Sequence, residues 1–319
     1  MAAQEPAPSH QILGTTALFT SPEERHSIQD VALSGNTLIV LHGSIMKREW
    51  FLTGSDASVS GALLWEYRLP PGLHSAIAGV DGDGVFVHAV NSLDKNGRQT
   101  RNTINRFDIQ TGHMDPVGSI DELGGRPLSD LNRGLYRGGM STFVRLISRN
   151  EAEIWKVSGS LSVVNRVSID LSGKVHGEAV ADGIVLINHD GRRMAVISAE
   201  SAQVSYRQLS SPEIAGAIAT VASAKAQISI PTPSIEPSIV AVTGSDSAGS
   251  VVYGMIYPVK IGFPIPVVAI SVDGRVAPVG LFQRRKGAPL RIVKASSALG
   301  VTYGDGTVTW YPPSRPIVA

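Results

Sequence analysis

Three histidines stand just before apolar, strand-like runs: His26-Ser27-Ile28, His74-Ser75-Ala76 and His176-Gly177-Glu178. If each opens one unit of a repeat, the three imidazoles can converge where the units meet. Such a group would suit Zn²⁺, Mn²⁺ or Fe²⁺, with Glu178 as an oxygen ligand or a base. His26, His74 and His176 are therefore the candidate metal set. Arg133 and Arg291 hold comparable positions in two other units, and join them and Glu178 as a candidate ligand-binding group. The competing reading has no cofactor, with all six as polar side chains bonded to neighbours along a solvated opening. No motif nominates a catalytic residue. There is no Gly-x-Ser-x-Gly elbow, P-loop or dinucleotide fingerprint, and Asp94-Lys95-Asn96-Gly97 lacks the donors of a calcium loop. The remaining histidines, His42, His88, His113 and His189, are expected at strand ends, turns or the rim.

The elements that must position these residues are β units. A Gly-led apolar run recurs at Gly35-Asn36-Thr37-Leu38-Ile39-Val40-Leu41, Gly84-Val85-Phe86-Val87, Gly183-Ile184-Val185-Leu186-Ile187 and Gly300-Val301-Thr302-Tyr303. A strand–turn–strand segment recurs from Arg106 to Gly118 and from Val268 to Gly280, and Asp-Gly pairs suit tight hairpins. Six units follow, spanning His26–Pro70, His74–Ile120, Leu128–Leu171, Lys174–Leu209, Gly216–Phe282 and Pro289 onward. Helical periodicity is nearly absent. Ser211 to Ala226 is the best candidate, yet Ile218, Thr220, Val221 and Ile228 are β-branched, so strand with at most one helical turn is expected. The last unit stops one strand short, and residues 10–20 have the pattern to supply it. Residues 1–9 are expected as a disordered tail, with 10–319 a single domain.

Composition narrows the function classes. The chain has 319 residues, with 17% charged and 43% hydrophobic, enough for a large core. A net charge of +1 without a basic block gives no footprint for nucleic acid. There is no cysteine, which removes disulfides and thiolate chemistry. No apolar stretch reaches the length of a transmembrane helix. The small, Pro-rich start at Met1-Ala2-Ala3-Gln4-Glu5-Pro6 reads as the remnant of an export signal, placing the protein in the periplasm or outside the cell, with the cytoplasm as the alternative.

In repeat texture, segments such as Gly61-Ala62-Leu63-Leu64-Trp65-Glu66-Tyr67 and Phe107-Asp108-Ile109-Gln110-Thr111-Gly112 resemble blades of six-bladed β-propellers of the broad NHL/TolB/quinoprotein-like kind. The resemblance implies an all-β ring of four-stranded blades, six or else seven, closed by the N-terminal strand; a two-sheet sandwich array is the structural alternative. It also implies that the opening histidines gather at the mouth of a central channel, much as some catalytic propellers hold a metal on the axis. The expected function is a non-enzymatic module binding a protein, small molecule or carbohydrate on one propeller face. The first alternative is a metal-dependent lyase, lactonase or hydrolase using the axial histidines. The second is a subunit of a larger assembly, held through the Pro-rich loops 230–237 and 257–266.

Overall fold

The computed structural model describes residues 13–17, 27–44, 47–58, 60–93, 99–120, 135–137, 142–148, 150–158, 160–171, 175–181, 183–188, 193–223, 238–245, 249–257, 265–282, 289–295 and 298–312. Among them the strands group into six four-stranded antiparallel sheets. The first holds β2 (Ser27–Ser34), β3 (Thr37–Ser44), β4 (Glu49–Asp56) and β5 (Leu63–Arg68). The second holds β6 (Leu73–Asp81), β7 (Gly84–Leu93), β8 (Gln99–Asp108) and β9 (Met114–Ile120). The third runs through β10 (Leu135–Arg137), β11 (Thr142–Ser148), β12 (Glu151–Ser158) and β13 (Ser160–Ser168). The fourth comprises β14 (Val175–Val180), β15 (Gly183–Asn188), β16 (Arg193–Ser198) and β17 (Val204–Gln208). The fifth comprises β18 (Ser238–Ser245), β19 (Val251–Tyr257), β20 (Ile265–Ser271) and β21 (Val276–Phe282). The last is made of β22 (Pro289–Lys294), β23 (Leu299–Tyr303), β24 (Thr307–Tyr311) and, from the other end of the chain, β1 (Gly14–Ala17).

The fold is an all-β propeller. The first strands of successive sheets touch in order, from β2 through β6, β10, β14 and β18 to β22, and β22 in turn touches β2. β1 pairs with β24 in the register Thr16 opposite Val308. Of the sequence segment 10–20, residues 10–12 and 18–20 lie outside the described residues.

The unbroken apolar runs follow from this stacking. A second strand lies between two neighbouring sheets, so both of its faces are buried and alternation of apolar with polar residues disappears. In β3, Leu38 and Val40 pack towards the last sheet with Val308 and Trp310, while Ile39 and Leu41 pack towards Val85 and Val87 of the second. β15 repeats the division: Ile184 and Leu186 face the third sheet, Val185 and Ile187 the fifth. Each such side chain contributes about 1.5–3 kcal/mol by leaving water.

Three tryptophans sit across the ladder from glycine. Gly43 is opposite Trp50, Gly54 opposite Trp65 and Gly300 opposite Trp310. A Cβ on any of these glycines would overlap the facing indole, so the absent side chain is what lets the ring lie on the neighbouring backbone.

One element differs from expectation. Ser211–Ser223 is an α-helix, α1, and not a strand. The Ser210 hydroxyl accepts the Glu213 amide at 3.4 Å and the Ser210 carbonyl accepts the Ile214 amide at 3.0 Å, so Ser210 caps the helix. Ile214 and Ala217 then bury against Val252, Val268 and Ile270. β-branching costs only tenths of a kcal/mol per residue, and burial of that face outweighs it.

Candidate functional site

A charged residue interrupts the apolar first strand of three sheets: Asp30 in β2, Glu178 in β14 and Arg291 in β22. The fold brings them together at the centre. Arg291 donates to Asp30 Oδ1 from Nη2 at 2.9 Å and from Nε at 3.2 Å, and its Nη1 donates to Glu178 Oε2. Asp30 also accepts the Val31 amide at 2.8 Å, and its Oδ2 accepts the Ile77 amide of β6 at 2.9 Å. Four sheets are thus linked through three side chains. All three side chains are largely withdrawn from solvent, Glu178 most of all at 2% exposed. Burial alone would lower the Arg291 pKa, but the facing charges of Glu178 and Asp30 more than reverse it, so the guanidinium is held charged above arginine's usual value.

Local register breaks aim these groups. The β2–β3 ladder slips between Ile28 and Asp30, and the β22–β23 ladder between Pro289 and Arg291. A bulge turns a side chain off the regular alternation, here towards the axis. Glu178 needs no such break, since β14 pairs with β15 in continuous register.

Of the six nominated residues, then, the structure joins Glu178 and Arg291, in an ion pair that Arg291 shares with Asp30. Asp30 was not nominated, although one acid inside the run Ile28-Gln29-Asp30-Val31-Ala32-Leu33 was the available signal. His176 lies two residues before Glu178 on the same strand face, mostly but not fully buried. His74 is 3% exposed and turns sideways. Its Nε2 donates to the Pro70 carbonyl at 3.0 Å, and its ring meets the Trp50 indole edge-on at 6.5 Å between centroids. Burial pushes the His74 pKa below its usual value, and the hydrogen bond to Pro70 offsets only part of that. His26, Arg133 and the loop segments 230–237 and 258–264 lie outside the described residues. Among the described residues no three His, Asp or Glu side chains are grouped to hold a metal ion.

Two other histidines are placed differently from the expectation of strand ends or rim. His42 and His88 are buried inside β3 and β7. His42 is hydrogen-bonded to Thr53 Oγ1 at 2.5 Å and stacked on Phe51. His113 does lie in an exposed turn, 3.0 Å from Asp115.

The outer rim has its own feature. The exposed large apolar residues among those described are Leu13, Leu63 and Leu64, with Leu63 and Leu64 more than half exposed. Gly54 pairs with Trp65 and Ser55 with Leu63, so Leu64 is an extra residue in β5 and both leucines face solvent. Beyond the bulge, Trp65 and Tyr67 pack against Phe107 of the second sheet, and the Tyr67 hydroxyl donates to the Ile109 carbonyl at 3.1 Å. Glu66 and Arg68 point outward. β5 pairs only with β4, so its far edge is open among the described residues.

No family pattern and no curated protein matches this sequence. Solved structures with a similar chain path include virginiamycin B lyase from Staphylococcus aureus (9% identity, 94% of this chain and 98% of that one, TM-score 0.45). BamB from Moraxella catarrhalis is 14% identical over 89% of this chain and 85% of its own, with a TM-score of 0.41. The Pan2 WD40 domain of Neurospora crassa is 9% identical over 96% of each chain, with a TM-score of 0.47. At such identities no residue role passes from these proteins to this one. No described helix is long and apolar enough to cross a membrane.

Proposed function

We propose that this protein is a non-catalytic protein-binding module, built as a six-bladed propeller closed by its N-terminal strand. Each four-stranded sheet is read as one blade, supported by the β1–β24 pairing and by the cyclic succession of first strands. The observation carrying the binding function is the pair Leu63 and Leu64, exposed beside an open sheet edge. Exposed adjacent leucines cost solubility, and an open edge invites strand addition. Three of the other outer strands are blunted: β9 carries Pro116, β21 carries Pro278 and lies under α1, and β1 is four residues long. β13 and β17 have no such device, but neither carries an exposed large apolar residue among the described ones. β5 has only its bulge and the charges of Glu66 and Arg68. The occupant that fits is an extended segment of another protein, apolar beside Leu63 and Leu64 and oppositely charged beside Glu66 and Arg68. Main-chain bonds to β5 give affinity and the leucines give selectivity.

The axial group supports the same reading, because Arg291 is already committed to Asp30 and Glu178. The test is selection of strand-forming peptides from a displayed library against the purified protein. Selected peptides are expected to bind at least tenfold more weakly to Leu64→Glu, with an unchanged far-ultraviolet circular dichroism spectrum. Peptides that bind wild type and Leu64→Glu equally would place the site elsewhere. A library that yields no binder would remove the reading.

A further inference from the structure

The axial group carries an inference independent of the rim. We infer that Asp30, Arg291 and Glu178 form a clasp that fixes the junction between the first and last sheets from the inside. Arg291 lies 261 positions from Asp30 and 113 from Glu178. Contacts so distant in sequence form only after the chain has come round on itself, when the loop-closure entropy has been met. At the outer side the junction sheet is finished by backbone pairing of β1 with β24. That pairing sets no register between the inner strands β2 and β22, which belong to different sheets, share no ladder and meet through non-directional apolar packing around Ile28, Val31 and Val293.

The geometry of Arg291 supplies what the ladder does not. One carboxylate oxygen of Asp30 receives two of its nitrogens, a planar fork that sets direction as well as distance. The third nitrogen reaches past β18 to β14, so the side chain spans the inner ends of the fourth to last sheets and ties them to the first. The other oxygen of Asp30 accepts the Ile77 amide at a register break between Ile77 and Gly79, extending the tie to the second sheet. Breaks in the ladder flank Asp30, Ile77 and Arg291 alike, so regular pairing is given up where the clasp is assembled.

A buried ion group of this kind often adds little net stability over apolar residues of the same size, and its role is to select one arrangement. The clasp therefore governs local opening of the ring at this junction more than its melting. Two carboxylates face one guanidinium, so removing Arg291 alone would also strand buried negative charge. The charge-free triple variant Asp30→Asn/Glu178→Gln/Arg291→Met separates the two effects.

Hydrogen–deuterium exchange read by mass spectrometry tests the inference on the full chain. In the triple variant, peptides covering 27–34 and 289–294 are expected to exchange at least tenfold faster, followed by 14–17 and 307–311. Peptides covering 151–158, in the third sheet that the clasp does not touch, should keep wild-type protection. Arg291→Lys, which keeps the charge but loses the fork and is the gentlest change, should raise exchange at 27–34 and 289–294 by a smaller factor. Unchanged protection at the junction in both variants would overturn the clasp. So would faster exchange spread evenly over all sheets.

Discussion

At the scale of single residues, burial and close contact decide the outcome more than residue type. His74 shows this. Its position at the start of a unit suggested a ligand, but the fold buries it beside Trp50 with its Nε2 spent on Pro70. Its pKa is lowered in the folded state, so the folded protein binds fewer protons there than the unfolded chain. That contribution is complete above the unfolded value of about 6.5 and is lost as pH falls through the folded value. Denaturant titrations between pH 7.5 and 5 are expected to show wild type losing stability relative to His74→Phe as the solution is acidified. A constant difference between the two proteins would contradict the burial. The glycines facing tryptophan give a second residue-scale prediction. Gly54→Ala or Gly300→Ala forces a methyl group into an indole and should cost about 1–3 kcal/mol in chemical denaturation.

At the scale of elements, α1 shows how tertiary contacts overrule a weak local signal. Its alanines and its Ser-x-x-Glu opening favour helix, while four β-branched residues favour strand. The decision comes from Ile214 and Ala217, which have a cluster of the fourth and fifth sheets to enter. Ser210→Ala should destabilise by about 1 kcal/mol through loss of the cap. Gly216→Ala is expected to do the reverse, by about 0.5–1 kcal/mol, because it is exposed on the helix and a Cβ there meets nothing within 4 Å. Both effects are measurable as shifts in the denaturation midpoint. The strands were easier to read than the helix. The Gly-led runs became β3, β7, β15 and β23, each second in its sheet, because burial on both faces leaves a continuous apolar signature. The bulge that exposes Leu64 was not legible, since a one-residue register slip leaves no mark in a run such as Leu63-Leu64-Trp65.

At the scale of the whole molecule, the two ends of the chain meet in one sheet. A variant lacking residues 1–17 would leave the edge of β24 uncovered. It is expected to melt at lower temperature and to self-associate in light scattering, while an intact monomer of unchanged stability would show that the pairing contributes nothing. The sequence by itself determined the all-β architecture, the spacing of its turns and the strands buried on both faces. These follow from short-range alternation and from the turn preferences of glycine and aspartate. It also nominated Glu178 and Arg291, but as ligand-binding candidates and not as partners of each other. Only the tertiary structure decided that Asp30 joins them, that the group closes on itself, and that His74 turns into a sheet interface. Those outcomes depend on residues more than a hundred positions apart and on single-residue slips of register, and local pattern carries neither.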